Sequence, residues 1–156
     1  MKKTVLWGIG AFLLLLTISG WAGYSRYEPE PPKLELIVDQ KSVVIEPMTF
    51  SLQKWGRAAA ADTYSEPAAL VKEDTPVSIN TSENFKLTFE DAPESVKYYL
   101  WDINTGKLAY KDLNGYPLNL KNSNVASGDY AMEIRAKWAN GYVFYNIRIV
   151  AYNNKK

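Results

Sequence analysis

The chain has 156 residues, with 18 Lys or Arg against 17 Asp or Glu, and contains neither histidine nor cysteine. That length holds one ordinary domain plus an appendage, and the near-cancelling charge supplies no field to gather nucleic acid. The missing residue types exclude imidazole bases, thiolate nucleophiles, disulfides, the usual zinc or copper ligand sets and the acylated cysteine of a lipoprotein. Any chemistry would run on carboxylates, hydroxyls, lysine or tyrosine, and no cofactor is expected.

The first element is written in MKKTVLWGIGAFLLLLTISGWAGYSRY. Two lysines are followed by an uncharged stretch from Thr4 to Tyr24, about long enough as a helix to cross ~30 Å of hydrocarbon. Trp7 suits one membrane interface and Trp21 with Tyr24 the other, and the lysines bias the amino terminus to the cytoplasm. Residues 1–26 are therefore expected to form a single-pass transmembrane anchor that contacts lipid and leaves the rest extracytoplasmic. The rival reading is a cleaved secretory signal, with Val5 to Ile18 as its apolar region and Gly20 and Ala22 as small residues before the cut, which would release the domain. Residues 27–33, YEPEPPK, forbid helix continuation and read as an extended spacer.

From Leu34 the apolar period is two. In FKLTFE (85–90), Phe85, Leu87 and Phe89 alternate with Lys86, Thr88 and Glu90. LELIV (34–38), VVIEPMTFSLQKW (43–55), VKYYLWDI (96–103), LAYKD (108–112) and YPLNL (116–120) are further strand candidates, with Pro47 marking an edge or bulge. Turn signals stand at NTG (104–106) and at NG (114–115 and 140–141). Residues 57–76 instead read as a long loop with one or two short helical turns, Pro67 opening one of them. Such a loop binds something or drapes over a core end, and Tyr64 is its candidate contact residue. The expected body is an antiparallel β-sandwich over 34–152, with a polar tail at 153–156.

The closing hairpin is the densest text. With Asn140 and Gly141 as the central turn residues, Trp138 opposes Val143, Ala136 opposes Tyr145, Ile134 opposes Ile147 and Met132 opposes Ile149 on the core face. Lys137 then opposes Phe144, Arg135 opposes Asn146, and Glu133 opposes Arg148 on the outer face. A one-residue slip would put the isoleucines in water. Tyr142 and Phe144 are left outside, beside Lys137 and Arg135, either as a binding surface or as rings resting on lysine and arginine stems.

SGDY leading into Tyr130, with Met132 two residues on, resembles the next-to-last strand of immunoglobulin-like sandwiches. The resemblance implies that Leu87 and Met132 occupy the positions antibody domains fill with a disulfide, and that Trp101 is similar to the core tryptophan between them. Lys97, Tyr99, Trp101 and Ile103 share one face of their strand, so alternation leaves open which way Trp101 points. Residues 40–152 are also similar to small single-pass exported proteins of Gram-positive bacilli, which implies a bacterial cell-envelope location and no particular activity.

Other constellations are weak. Asp102, Asn104 and Gly106 alternate as in a calcium loop, but Lys107 stands where glycine is needed and Leu113 where the closing glutamate belongs; a hairpin turn is expected. Glu90, Asp91 and Glu94 form an acidic turn that a carboxylate-dependent hydrolase would need in a cleft. Asn80, Thr81 and Ser82 make a glycosylation sequon. The expectation is a non-enzymatic extracytoplasmic module that contacts another envelope protein or a wall component through Phe144, Tyr142, Lys137, Arg135 and Tyr64. The first alternative is a glycan-binding module that stacks sugars on Tyr142 and Phe144, with Tyr99 or Trp101.

Overall fold

Alternating burial along the chain sorts it into two sheets around one core. The computed structural model describes residues 2–38, 41–82, 84–115 and 118–153, with the side chains of all of these except 2–9, 11, 84 and 119. The elements are α1 (Lys2–Arg26), β1 (Leu34–Val38), β2 (Lys41–Ile45), β3 (Pro47–Lys54), β4 (Arg57–Ala61), α2 (Pro67–Leu70), β5 (Val77–Asn80), β6 (Asn84–Phe89), β7 (Ser95–Asp102), β8 (Leu108–Asn114), β9 (Leu118–Asn119), β10 (Gly128–Trp138) and β11 (Gly141–Tyr152). One sheet has the order β2-β1-β6-β9 and the other β4-β3-β11-β10-β7-β8, with β5 added alongside β11. The β5–β11 pair is parallel; the others are antiparallel. The protein is mainly β, as the alternation requires.

The core is filled from both inner faces. Leu34, Leu36, Phe85 and Leu87 of the smaller sheet meet Tyr98, Leu100, Met132 and Ile134 of the larger one, all buried. Phe85 meets Tyr98 edge-on at 6.4 Å, and Phe89 meets Trp138 and Tyr145 edge-on at 5.8 and 6.1 Å, contacts worth about 1 kcal/mol each beyond area burial. Leu87 and Met132 are both in this core. Trp101 is not: it lies half-buried on the opposite face of its strand, packed on the cluster of Ala68, Val71, Ile103 and Ala131. Tyr98 and Leu100 take the inward positions, because their register partners Ile134 and Met132 are inward on β10.

The closing hairpin keeps its predicted faces but not its predicted pairing. Trp138 opposes Gly141, Ala136 opposes Val143, Ile134 opposes Tyr145 and Met132 opposes Ile147, a shift of two residues. The turn is therefore Ala139-Asn140. Gly141 is withdrawn into the strand because β3 crosses it closely: its φ is +146° and an added Cβ would run into the Ser51 carbonyl oxygen. On the outer face Arg135, not Lys137, opposes Phe144, and Glu133 opposes Asn146.

VVIEPMTFSLQKW divides at Glu46 into β2 and β3, which join different sheets. Pro47 faces the bulge in β11 between Phe144 and Tyr145, as a residue with no N–H to give demands. Residues 57–76 are not one loop. Arg57–Ala61 pairs with β3 through a two-residue turn, Trp55-Gly56, with φ of +52° and +74°; the alanines carry no strand signal of their own, and the turn fixes their pairing. α2 is the short helix opened by Pro67, and it drapes over the outer face of the larger sheet. β5, unforeseen, pairs with the last four residues of β11, Ile149 to Tyr152. Tyr116 and Pro117 of the YPLNL candidate, and residues 154–156 of the tail, lie outside the described residues.

Arg148 holds the drape. Its Nε and Nη2 donate to the Asp129 carboxylate at 3.1 and 2.7 Å, and Nη1 donates to the carbonyls of Lys72 and Asp74 at 2.6 and 3.3 Å. Arg148→Ala should leave the core intact while amide exchange across residues 71–76 speeds up several-fold; unchanged exchange would assign the drape to α2 packing alone.

α1 is one unbroken helix. Thr17, Ser19 and Ser25 turn their hydroxyls back onto the carbonyls of Leu14, Leu15 and Ala22, so the helix shows no outward polar stripe there. Among the described residues no helix is long and apolar enough to cross a membrane. The expected interface position of Trp7 lies outside the described side chains.

Candidate functional site

Successive outward residues on four neighbouring strands build a strip across the larger sheet. On β11, Tyr142 and Phe144 lie with ring centroids 5.1 Å apart. On β10, the Arg135 guanidinium sits 4.9 Å from the Phe144 centroid and 4.0 Å from that of Tyr99 on β7. It is clamped between two rings, a stacked arrangement that suits guanidinium and not ammonium. Its Nε and Nη2 donate to Glu133 Oε2 at 3.1 and 2.8 Å, while Nη1 makes no hydrogen bond among the described residues. Glu133 is 5 % exposed, so this cation is what makes its burial tolerable.

The strip continues to β8. Tyr99 Oη donates to Asp112 Oδ1 at 2.7 Å, and Lys97 Nζ reaches the same oxygen at 3.2 Å. Asp112 is aimed there by an irregular β7–β8 register and a φ of +52°, a backbone setting aspartate tolerates better than most residues. Donation from Tyr99, and then from Lys97, holds the Asp112 carboxyl below its ordinary range, and the same bond raises the Tyr99 phenol. A depressed acid favours the fold above the unfolded carboxylate range of about 4, and a raised phenol favours it below about 10. The link should therefore persist through neutral pH, fading as pH falls through the Asp112 value or rises through that of Tyr99. Asp112→Ala should move one tyrosine back to ordinary titration, read by NMR of ring-labelled tyrosine; no moved tyrosine would break the link.

Of the expected residues, Phe144, Tyr142 and Arg135 come together. Lys137 is exposed, with Tyr142 as its register partner. Tyr64 does not join: it stands 98 % exposed after β4 and makes no ring contact or hydrogen bond among the described residues. Lys97 and Asp112 were missed. The shared parity of Lys97, Tyr99 and Trp101 was the available signal for the first, whereas Asp112 depends on an irregularity that no alternation encodes.

Concavities lie elsewhere on the domain. A cleft of about 640 Å³ lies between residues 26–33 and the nearby strand ends, and it brings Glu90 and Asp91 of the acidic turn beside Glu28 and Glu30. Arg26, Lys33 and Lys54 are interspersed with them, and Glu90 Oε2 accepts from the Lys33 backbone N–H at 3.3 Å. A pocket of about 250 Å³ opens where β3 leaves β11, lined in part by Asn146, whose buried Oδ1 has no partner among the described residues. It has room for the ordered water that ordinarily satisfies such a group. Asp102 accepts from the N–H and then the hydroxyl of Thr105, and from the Asn104 N–H, bonds that lower its pKa and make it a turn residue. Among the described residues no cluster could hold a metal ion.

No protein-family model, curated protein or solved structure matches the chain.

Proposed function

We propose that the chain is a membrane-tethered, extracytoplasmic, non-catalytic interaction module that meets another envelope protein or a wall component through the Tyr142–Phe144–Arg135–Tyr99 strip. The observation that carries this reading is the clamped Arg135: a guanidinium fixed by two rings and a carboxylate, beside an exposed tyrosine, is the kind of pre-ordered anchor on which interfaces concentrate their energy. A tether raises the effective concentration of the partner, so each contact can be weak.

The tether itself rests on the uncharged stretch Thr4 to Tyr24 and on Phe12, Leu13, Leu14, Leu15, Leu16 and Ile18, each more than half exposed. An apolar surface of that extent calls for a cover, and lipid is the cover proposed. An immunoglobulin-like sandwich is supported by Tyr130 Oη, which donates to the Ala126 carbonyl at 3.3 Å, with Met132 two residues on in the core, as in a tyrosine corner.

A photoreactive phenylalanine at position 142 in intact cells should crosslink one envelope component, and Arg135→Lys should abolish the adduct while the fold persists. Adducts equal in yield to those from position 64 would reject the strip as the contact. A glycan reading keeps one supporting observation, the 42 % exposure of Tyr142; the other two rings already spend a face on Arg135. Quenching of tyrosine fluorescence by peptidoglycan fragments, lost in Tyr142→Ala, would favour it.

A further inference from the structure

We infer that the β3–β4 turn, Lys54-Trp55-Gly56-Arg57, is a second membrane contact, with Trp55 in the phospholipid headgroup layer beside the end of α1. This rests on the reading of α1 as an anchor.

The turn and the helix end are already joined. Tyr24 Oη donates to the Trp55 carbonyl at 2.9 Å. Arg57 donates from Nη2 to the Ser25 carbonyl at 3.0 Å and from Nε to the Tyr27 carbonyl at 3.2 Å. Those carbonyls belong to the end of a helix, where acceptors lack intrahelical partners and the dipole favours a cation. Tyr27 packs on Trp55 at 4.9 Å, Lys54 Nζ lies 5.2 Å from the Trp55 ring, and Trp21 lies 6.5 Å from Tyr24. The ring pairs Trp21–Tyr24 and Tyr27–Trp55, joined by the Tyr24 hydrogen bond to the Trp55 carbonyl, thus stand among Arg26, Lys54 and Arg57, a composition that suits the interface between hydrocarbon and water.

Trp55 is costly where it stands. Its φ of +52° is a left-handed setting that disfavours bulky residues, in a tight turn where asparagine is the ordinary choice. The indole is also 68 % exposed. In water the Tyr27 and Lys54 contacts leave most of the ring uncovered; in the headgroup layer it has a solvent that favours it. Two contacts fix tilt where one would not, which holds the domain at a set height.

The absence of cysteine in the chain makes single labels clean. The full chain, reconstituted in phosphatidylcholine–phosphatidylglycerol vesicles, is labelled with an environment-sensitive fluorophore at Gln53→Cys, Asn104→Cys or Leu15→Cys. Asn104 is exposed in the β7–β8 turn at the opposite end of the sandwich. A nitroxide on the lipid headgroup should quench the label at 53 several-fold more than that at 104, and Trp55→Ser should bring the two together. Equal quenching at 53 and 104, with position 15 quenched by an acyl-chain nitroxide, overturns the contact and leaves the anchor standing. Quenching at 53 that ignores Trp55→Ser also overturns it, by showing that the helix alone sets the height. A chain that does not float with vesicles and is not quenched at 15 sinks both readings.

Discussion

Gly141→Ala should destabilise the domain by about 3 kcal/mol, read as a fall in the urea midpoint. Two effects add. A φ of +146° is a backbone setting that glycine alone adopts freely, and the new methyl would collide with the Ser51 carbonyl oxygen and crowd the Leu52 backbone. These are main-chain atoms inside a paired strand, so they cannot move aside as a side-chain tip could. The least disruptive escape is for β3 and β4 to leave β11 together, which would also strip the Gln53 N–H from the Asn140 carbonyl. A loss below about 1 kcal/mol would mean that β3 does not need its close approach.

Arg135→Ala should cost about 2 kcal/mol of stability, less than the ~3–5 kcal/mol of breaking a fully buried pair because the Arg135 side chain is 36 % exposed. It should also weaken partner binding by about tenfold or more. The stability loss arises from Glu133, left 5 % exposed with no cation. Adding Glu133→Gln should recover part of the stability and none of the binding, which separates the structural share of Arg135 from its share in recognition. Recovery of both by the double variant would assign the strip to folding alone.

Much of this fold was legible because its core strands obey a period of two. Phe85, Leu87 and Phe89 point inward as read, and Tyr130 through Trp138 divide between the faces as read. The failures have local physical causes. Asn140-Gly141 carries the commonest hairpin signal, yet Gly141 is claimed by the crossing of β3, a tertiary demand absent from the hairpin's own text. β4 is alanine and arginine, so only the turn before it creates the strand. Trp101 looked like a core tryptophan by resemblance, but α2 offers it a second, smaller apolar site on the outer face. At the candidate site, Arg135, Tyr142 and Phe144 were recognised from parity alone, whereas their union with Tyr99 and Asp112 required the β10–β7 register and an irregular edge strand.

The connection between α1 and β1 is short and fastened along its length: Tyr27 lies against Trp55, Pro29 is buried, Tyr145 Oη donates to the Pro32 carbonyl at 2.6 Å, the Glu90 N–H donates to the Lys33 carbonyl, and the Lys33 N–H donates to the Glu90 carboxylate. Burial raises the Tyr145 phenol well above its ordinary range, so this fastening does not loosen at neutral pH. A slack leash would let the domain sweep a hemisphere and would isolate it from the helix mechanically. Here the connection is fastened to the sandwich, so torque applied to the outer strip should pass into α1, and a rotation of α1 should swing the strip.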